Sequence, residues 1–150
     1  ERARVVNLVD RDGITRCHAL SWFTNKMSPD LTAVHAKIQA GASMGRSFKE
    51  EGFTVYKNTL AMGKVSIPDW LRDLFHSDLL ITVAHIYQFI AEKEGVRHLY
   101  AVVCEIDTPD FVAEKLGEYE ALEGLPPDPL ISPFINSVVK YLHKQTQPKK

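Results

Sequence analysis

Two long apolar runs constrain this chain more than anything else in it. Leu79–Ala91 and Leu99–Ile106 are crowded with Val, Ile, Tyr and Phe, residues that suit a pleated, half-buried surface. Between them lies Glu92-Lys-Glu-Gly-Val-Arg-His98, a charged stretch with one glycine, which reads as the connection of a hairpin. Periodicity alone also allows a buried helix for such runs, but the β-branched composition favours strands. The chain is thereby committed to an antiparallel sheet.

A second hairpin opens the sequence. Arg2–Asp10 is β-branched, Arg11-Asp-Gly-Ile14 carries the Asp-Gly turn signal, and Thr15–Phe23 returns. Ser28 then serves as N-cap, with Pro29 at the first helical position, for a helix over Pro29–Ala40 that places Leu31, Val34 and Ile38 on one face. A strand is expected over Phe53–Leu60 and a short helix after Ser66, with Trp70, Leu71 and Leu74 turned inward. Beyond Thr108 the pattern predicts a helix over Asp110–Tyr119. An extended Leu125-Pro-Pro-Asp-Pro-Leu130 follows, then an amphipathic helix from Leu130 to about Gln145. The fold class is α+β: a mainly antiparallel sheet of about five to six strands, with helices inserted between hairpins and a C-terminal helical tail. Residues 1–111 form the core and 112–150 the tail of what is a single domain overall.

Composition narrows the function classes. A net charge of −1 gives no electrostatic case for nucleic acid or an anionic membrane. No uncharged apolar run reaches the ~18 residues that a membrane-spanning helix needs, and no signal segment is recognisable at the start. Cys17 and Cys104 stand far apart in apolar strands. They form no metal-type cluster, so no metal is expected, and buried free thiols in a reducing cytoplasm are the natural reading.

One turn draws attention as a ligand site. In Ile38-Gln-Ala-Gly-Ala-Ser-Met-Gly-Arg-Ser-Phe-Lys-Glu-Glu-Gly52, Gly41 can end one helix and Ser43 can cap the next. Met44, Gly45 and Arg46 then present backbone N–H groups at a positive helix end, which suits a carboxylate or phosphate. A charged residue also interrupts the most apolar strand. Alternation puts Glu105 on the face of Ala101 and Val103, opposite Cys104 and Ile106. Glu105 is either an exposed strand position or a partly buried acid able to donate a proton, and Arg4 in the first strand is its natural counter-charge. An outward-facing arginine on an edge strand fits the pattern of Arg4 equally well. Phe48, Phe53, Tyr56, Tyr87 and the two tryptophans read as core, and His18 and His85 as structural histidines within strands.

The order strand, Asp-Gly, strand, a small-Met-Gly-Arg turn after a helix, then Val103-Cys-Glu-Ile…Pro109 resembles the chorismate lyase superfamily over residues 2–111. Arg4-Val-Val-Asn-Leu-Val-Asp-Arg-Asp-Gly13 is similar to the family's arginine-bearing strand. Ala42-Ser-Met-Gly-Arg-Ser-Phe48 is similar to its ligand turn. The resemblance implies that Arg4 binds a substrate carboxylate, with Arg2 as the alternative if the register slips. It implies that Met44, Gly45 and Arg46 contact the ligand and that Glu105 is carboxyl partner or proton donor. The activity implied is loss of pyruvate from chorismate to give 4-hydroxybenzoate, with no cofactor.

Three features depart from that pattern. Longer lyases have a section ahead of the arginine strand that helps to close the site; Lys57 and His85 stand where relatives often carry arginine; and the tail from Val112 has no family counterpart. That tail is expected to replace the missing cover or to make a homodimer contact. The effector-binding UTRA domain of GntR-type regulators shares the fold. It implies a second function, binding of a small anionic metabolite without chemistry, although this chain carries no winged helix ahead of it. A third reading leaves the turn and Glu105 without any ligand role.

Overall fold

The computed structural model describes residues 3–146, so Arg2, the alternative carboxylate ligand, lies outside the described residues. Five strands form one antiparallel sheet in the order β1-β2-β5-β4-β3. They are β1 (Ala3–Val9), β2 (Thr15–Phe23), β3 (Thr54–Ser66), β4 (Ile81–Lys93) and β5 (Val96–Asp107). The helices are α1 (Pro29–Gln39), α2 (Met44–Glu50), α3 (Asp69–Phe75), α4 (Pro109–Val112) and α5 (Ser132–Thr146). The architecture is α+β, with the antiparallel sheet and C-terminal helix that the pattern predicts.

Strand alternation sorts the core into two halves. On one face Phe23, Ala101, Val103, Tyr87 and Phe89 meet Leu31, Val34 and Ile38 of α1 and Phe48 of α2. On the other, Leu20, Ala84, Ile86, Cys104 and Ile106 meet Leu71 and Phe75 of α3 and Ile135, Val138 and Leu142 of α5. Each fully buried aliphatic or aromatic side chain is worth ~1.5–3 kcal/mol relative to exposure, and both faces carry enough of them to be covered. Glu105 follows Val103 by two residues and therefore belongs to the α1/α2 face. Helix α5 docks on the opposite one, so the tail does not form a cover over Glu105.

Several boundaries differ from the pattern for physical reasons. The β4–β5 connection shrinks from the expected seven-residue loop to Glu94-Gly95, both left-handed (φ 51° and 78°), the geometry of a tight hairpin turn. Strand β3 runs on past Leu60 to Ser66. Helix α3 starts after Pro68 with no side-chain cap. The expected helix over 110–119 breaks into the four-residue α4 and a 3-10 stretch, Ala113–Glu118. No residue of that stretch is buried, and an unanchored segment of this length cannot hold an α-helix.

Gly63 explains the far end of β3. The chain at 120–122 crosses it closely: Lys64 N–H donates to Glu120 O at 2.8 Å, and Lys64 bridges to Ala121. A Cβ on Gly63 would lie 2.8 Å from Glu120 O and from Leu122 Cα, both backbone. Gly63→Ala is therefore expected to destabilise the fold by ~1–3 kcal/mol, as overpacking does. Urea denaturation checks it, and an alanine variant as stable as wild type would show that the 120–122 segment yields at no cost.

Candidate functional site

The α1–α2 turn is built as its residues dictate. Gly41, at φ 109°, donates to Ile38 O and Ala42 N–H donates to Lys37 O, the paired bonds that close a helix in a Schellman motif. Ser43 Oγ accepts from Arg46 N–H at 3.4 Å and starts α2. Phe48, fully buried with its ring centroid 4.7 Å from that of Tyr100, pins α2 to the sheet. Arg4 Nη2 donates to Ala42 O at 3.3 Å and ties β1 to the same turn.

Beneath the turn lies a cavity of about 630 Å³, within the usual range for small-ligand sites. Its floor is sheet: Ala19 and Ser21 on β2, Val103 and Glu105 on β5, Tyr87 and Phe89 on β4, with Val55 and Lys57 on β3. Arg4 and Val6 form one wall, and Gly41, Ser43, Met44, Gly45 and Lys49 the other. Among the described residues three cations, Arg4, Lys49 and Lys57, thus line the cavity with one acid, Glu105, and the rest of the lining is uncharged, with Val6, Leu8, Val55, Phe89 and Val103 in its apolar part. That is the charge balance of a site for an anion with a hydrocarbon body. Two more open clefts, of about 660 and 690 Å³, lie along α5 and β3 and touch none of these four charges.

Register sets the spacing of the charged groups. Arg4 pairs with Ser21, and Glu105 pairs with Ala19 on one side and His85 on the other. Arg4 and Glu105 are thus two strands apart and offset by two residues, roughly 12 Å between Cα atoms at standard sheet spacings. They do not form the expected counter-charge pair. Arg4 bonds the turn, and Glu105 Oε2 accepts from Tyr87 Oη at 3.1 Å. Space for a ligand remains between them.

The groups around Glu105 respond to burial and to its charge. Desolvation, and then Glu105, push the Tyr87 phenol far above its ordinary value, so it stays a donor. His85 is held below its usual value, by burial first, and its Nε2 shares a hydrogen bond of 2.7 Å with Thr59 Oγ1. Asp107, the next residue on that face of β5, is pushed up to about 6 by desolvation and then by Glu105. Cys17 opposite it is buried, free and raised to about 12, for the same causes in the same order, which makes it a poor nucleophile.

Of the residues expected in the site, Arg4, Met44, Gly45 and Glu105 meet at this cavity. Arg46 does not; it is exposed and outside the lining, because one helical step past Gly45 turns its side chain away. Lys49 and the pocket role of Tyr87 were not legible in the pattern. Lys49 looks like any solvated helix lysine, and Tyr87 looks like core. Among the described residues, no group of three or more His, Cys, Asp or Glu could hold a metal ion, and no helix is long and apolar enough to cross a membrane. The chain matches no protein-family model, no curated protein and no solved structure.

Proposed function

We propose that this chain is a cofactor-independent lyase of the chorismate pyruvate-lyase type, acting on a small cyclic carboxylate held beneath the α1–α2 turn. The observation that carries the reading is the meeting of Arg4, the Met44–Gly45 turn, Lys57 and Glu105 at one cavity whose floor also presents Val55, Phe89 and Val103. The elimination asks for little more. As chorismate becomes 4-hydroxybenzoate, the ring C4 hydrogen leaves as a proton and the C3–O bond breaks. The electrons of that bond pass to the departing enolpyruvate, which gains a proton at its methylene carbon to become pyruvate. One carboxylate can take the first proton and return it in the second step, and among the described residues Glu105 is the acid that lines the cavity. The cations serve the two carboxylates of the substrate. Charge spreading onto the leaving enolpyruvate is stabilised by fixed donors around it.

The same three cations around a single acid also suit a domain that binds a small anionic metabolite without chemistry. Incubation with chorismate separates the two readings. Equimolar release of pyruvate and 4-hydroxybenzoate is expected, and no pyruvate at high protein concentration sinks the lyase reading. Thermal stabilisation by 4-hydroxybenzoate without turnover would instead favour the binding domain.

A further inference from the structure

The hydroxyl proton of Tyr87 is engaged in one place. Its ring is buried in the sheet, 3% exposed, and its Oη donates to Glu105 Oε2 at 3.1 Å. The contact is diagonal: Tyr87 stands opposite Val103 and Glu105 stands opposite His85, so the two lie two residues apart on adjacent strands of one face. At that diagonal only a long side chain reaches its neighbour. The tyrosine has little freedom to leave. The His85 ring packs against it with centroids 5.0 Å apart, and Lys57 Nζ lies 5.1 Å from the ring centroid on β3. His85 is itself tethered to Thr59. Behind the acid, then, stands a phenol braced by a histidine on its own strand and a lysine from the next.

We infer that Tyr87 is a positioning residue for Glu105: its hydroxyl engages Oε2 and leaves Oε1 as the oxygen that meets the ligand. This role rests on the lyase reading. A carboxylate that must take a proton and give it back needs one orientation throughout, and a misplaced reacting group is costly in rate. A neutral donor suits the task better than a cation would. It orients the carboxylate without forming an ion pair that would compete with the ligand's own charges for Arg4, Lys49 and Lys57. Burial and the charge of Glu105 hold the phenol above its ordinary value, so the donor persists through the neutral range. The plain alternative is that Glu105 merely satisfies a buried hydroxyl.

Tyr87→Phe decides between them, since phenylalanine keeps the ring and its two packing partners. With chorismate as substrate, kcat is expected to fall about tenfold, the loss of one orienting hydrogen bond. KM should stay within twofold, because the cations that hold the carboxylates are untouched, and the melting temperature should stay close to that of wild type. Should the variant fold only in part, kcat is counted per folded molecule, with the folded fraction read by circular dichroism. A tenfold loss per folded molecule supports the role. Active wild type with an equally active Tyr87→Phe overturns the positioning role alone. A fall in kcat that only tracks loss of folded protein overturns it as well. Wild type that releases no pyruvate overturns the lyase reading, and this role with it.

Discussion

Glu105→Gln is expected to reduce pyruvate release from chorismate by about 10²–10⁴-fold, the range attached to loss of a general acid–base group. Glutamine has nearly the shape of glutamate, and its amide oxygen can still accept from the Tyr87 hydroxyl, so the variant should fold and melt like wild type. It should also still bind 4-hydroxybenzoate, because Arg4 and Lys57 supply the charge for the carboxylate and are unchanged. The diagnostic pattern is therefore a collapse of kcat with binding kept within a few-fold, read by a pyruvate-coupled assay beside a thermal-shift titration. Retention of full turnover would remove Glu105 from the chemistry. Loss of binding together with turnover would make it a ligand contact and nothing more.

Part of this site can be read from residue order because strands have a period of two. Glu105 shares a face with Val103 for the same reason that Cys104 does not, and the two buried clusters divide accordingly. The α1–α2 turn is legible through Gly41 and Ser43, whose roles are local: one takes a left-handed conformation, the other offers an oxygen to a helix start. Local chemistry does not say where the turn lands. Phe48 decides that by sinking between Phe53, which closely follows it, and Phe89 and Tyr100 from strands far along the chain. Arg46 was expected beside Met44 and Gly45 because it follows them, but on a helix the next residue is turned by about 100°, enough to take it out of the cavity. Tyr87 hid among other aromatic strand residues, since nothing in sequence distinguishes a tyrosine that packs from one whose hydroxyl serves a neighbour. The supposed pairing of Arg4 with Glu105 failed on register: both are on the predicted strands, yet they are offset by two residues across β2. That offset is also what leaves room between them.

Acid should expose a second polar site, on the far side of the sheet. His18 is 2% exposed, with Nδ1 at 2.5 Å from Asn7 Oδ1 and Nε2 at 3.0 Å from Tyr141 Oη on α5; its ring meets Trp70 edge-on. Burial holds it at about 4, against an ordinary value of 6.5. Between those values the unfolded chain binds the proton and the folded one does not, so stability rises with pH across this window and is lost as pH falls from 6.5 to 4. The loss amounts to ~3 kcal/mol at ~1.4 kcal/mol per unit. Asp107 works in the opposite sense. Its carboxyl sits at about 6 when folded and 3.8 otherwise, so the folded state binds the extra proton between those values and gains on acidification, by ~2 kcal/mol after allowance for solvent screening. The two nearly cancel, and wild type should change by only ~1 kcal/mol between pH 6.5 and 4 from these groups. Asp107→Asn removes one side of the balance. The variant should be more stable than wild type by ~2 kcal/mol at pH 7, because a buried charge is gone, and should lose ~3 kcal/mol by pH 4 as His18 takes its proton. Urea denaturation of both proteins at pH 7, 6, 5 and 4 measures this. Parallel stability curves for the two would show that Asp107 does not titrate as its burial demands, and a variant curve that stays flat from pH 6.5 to 4 would show the same of His18.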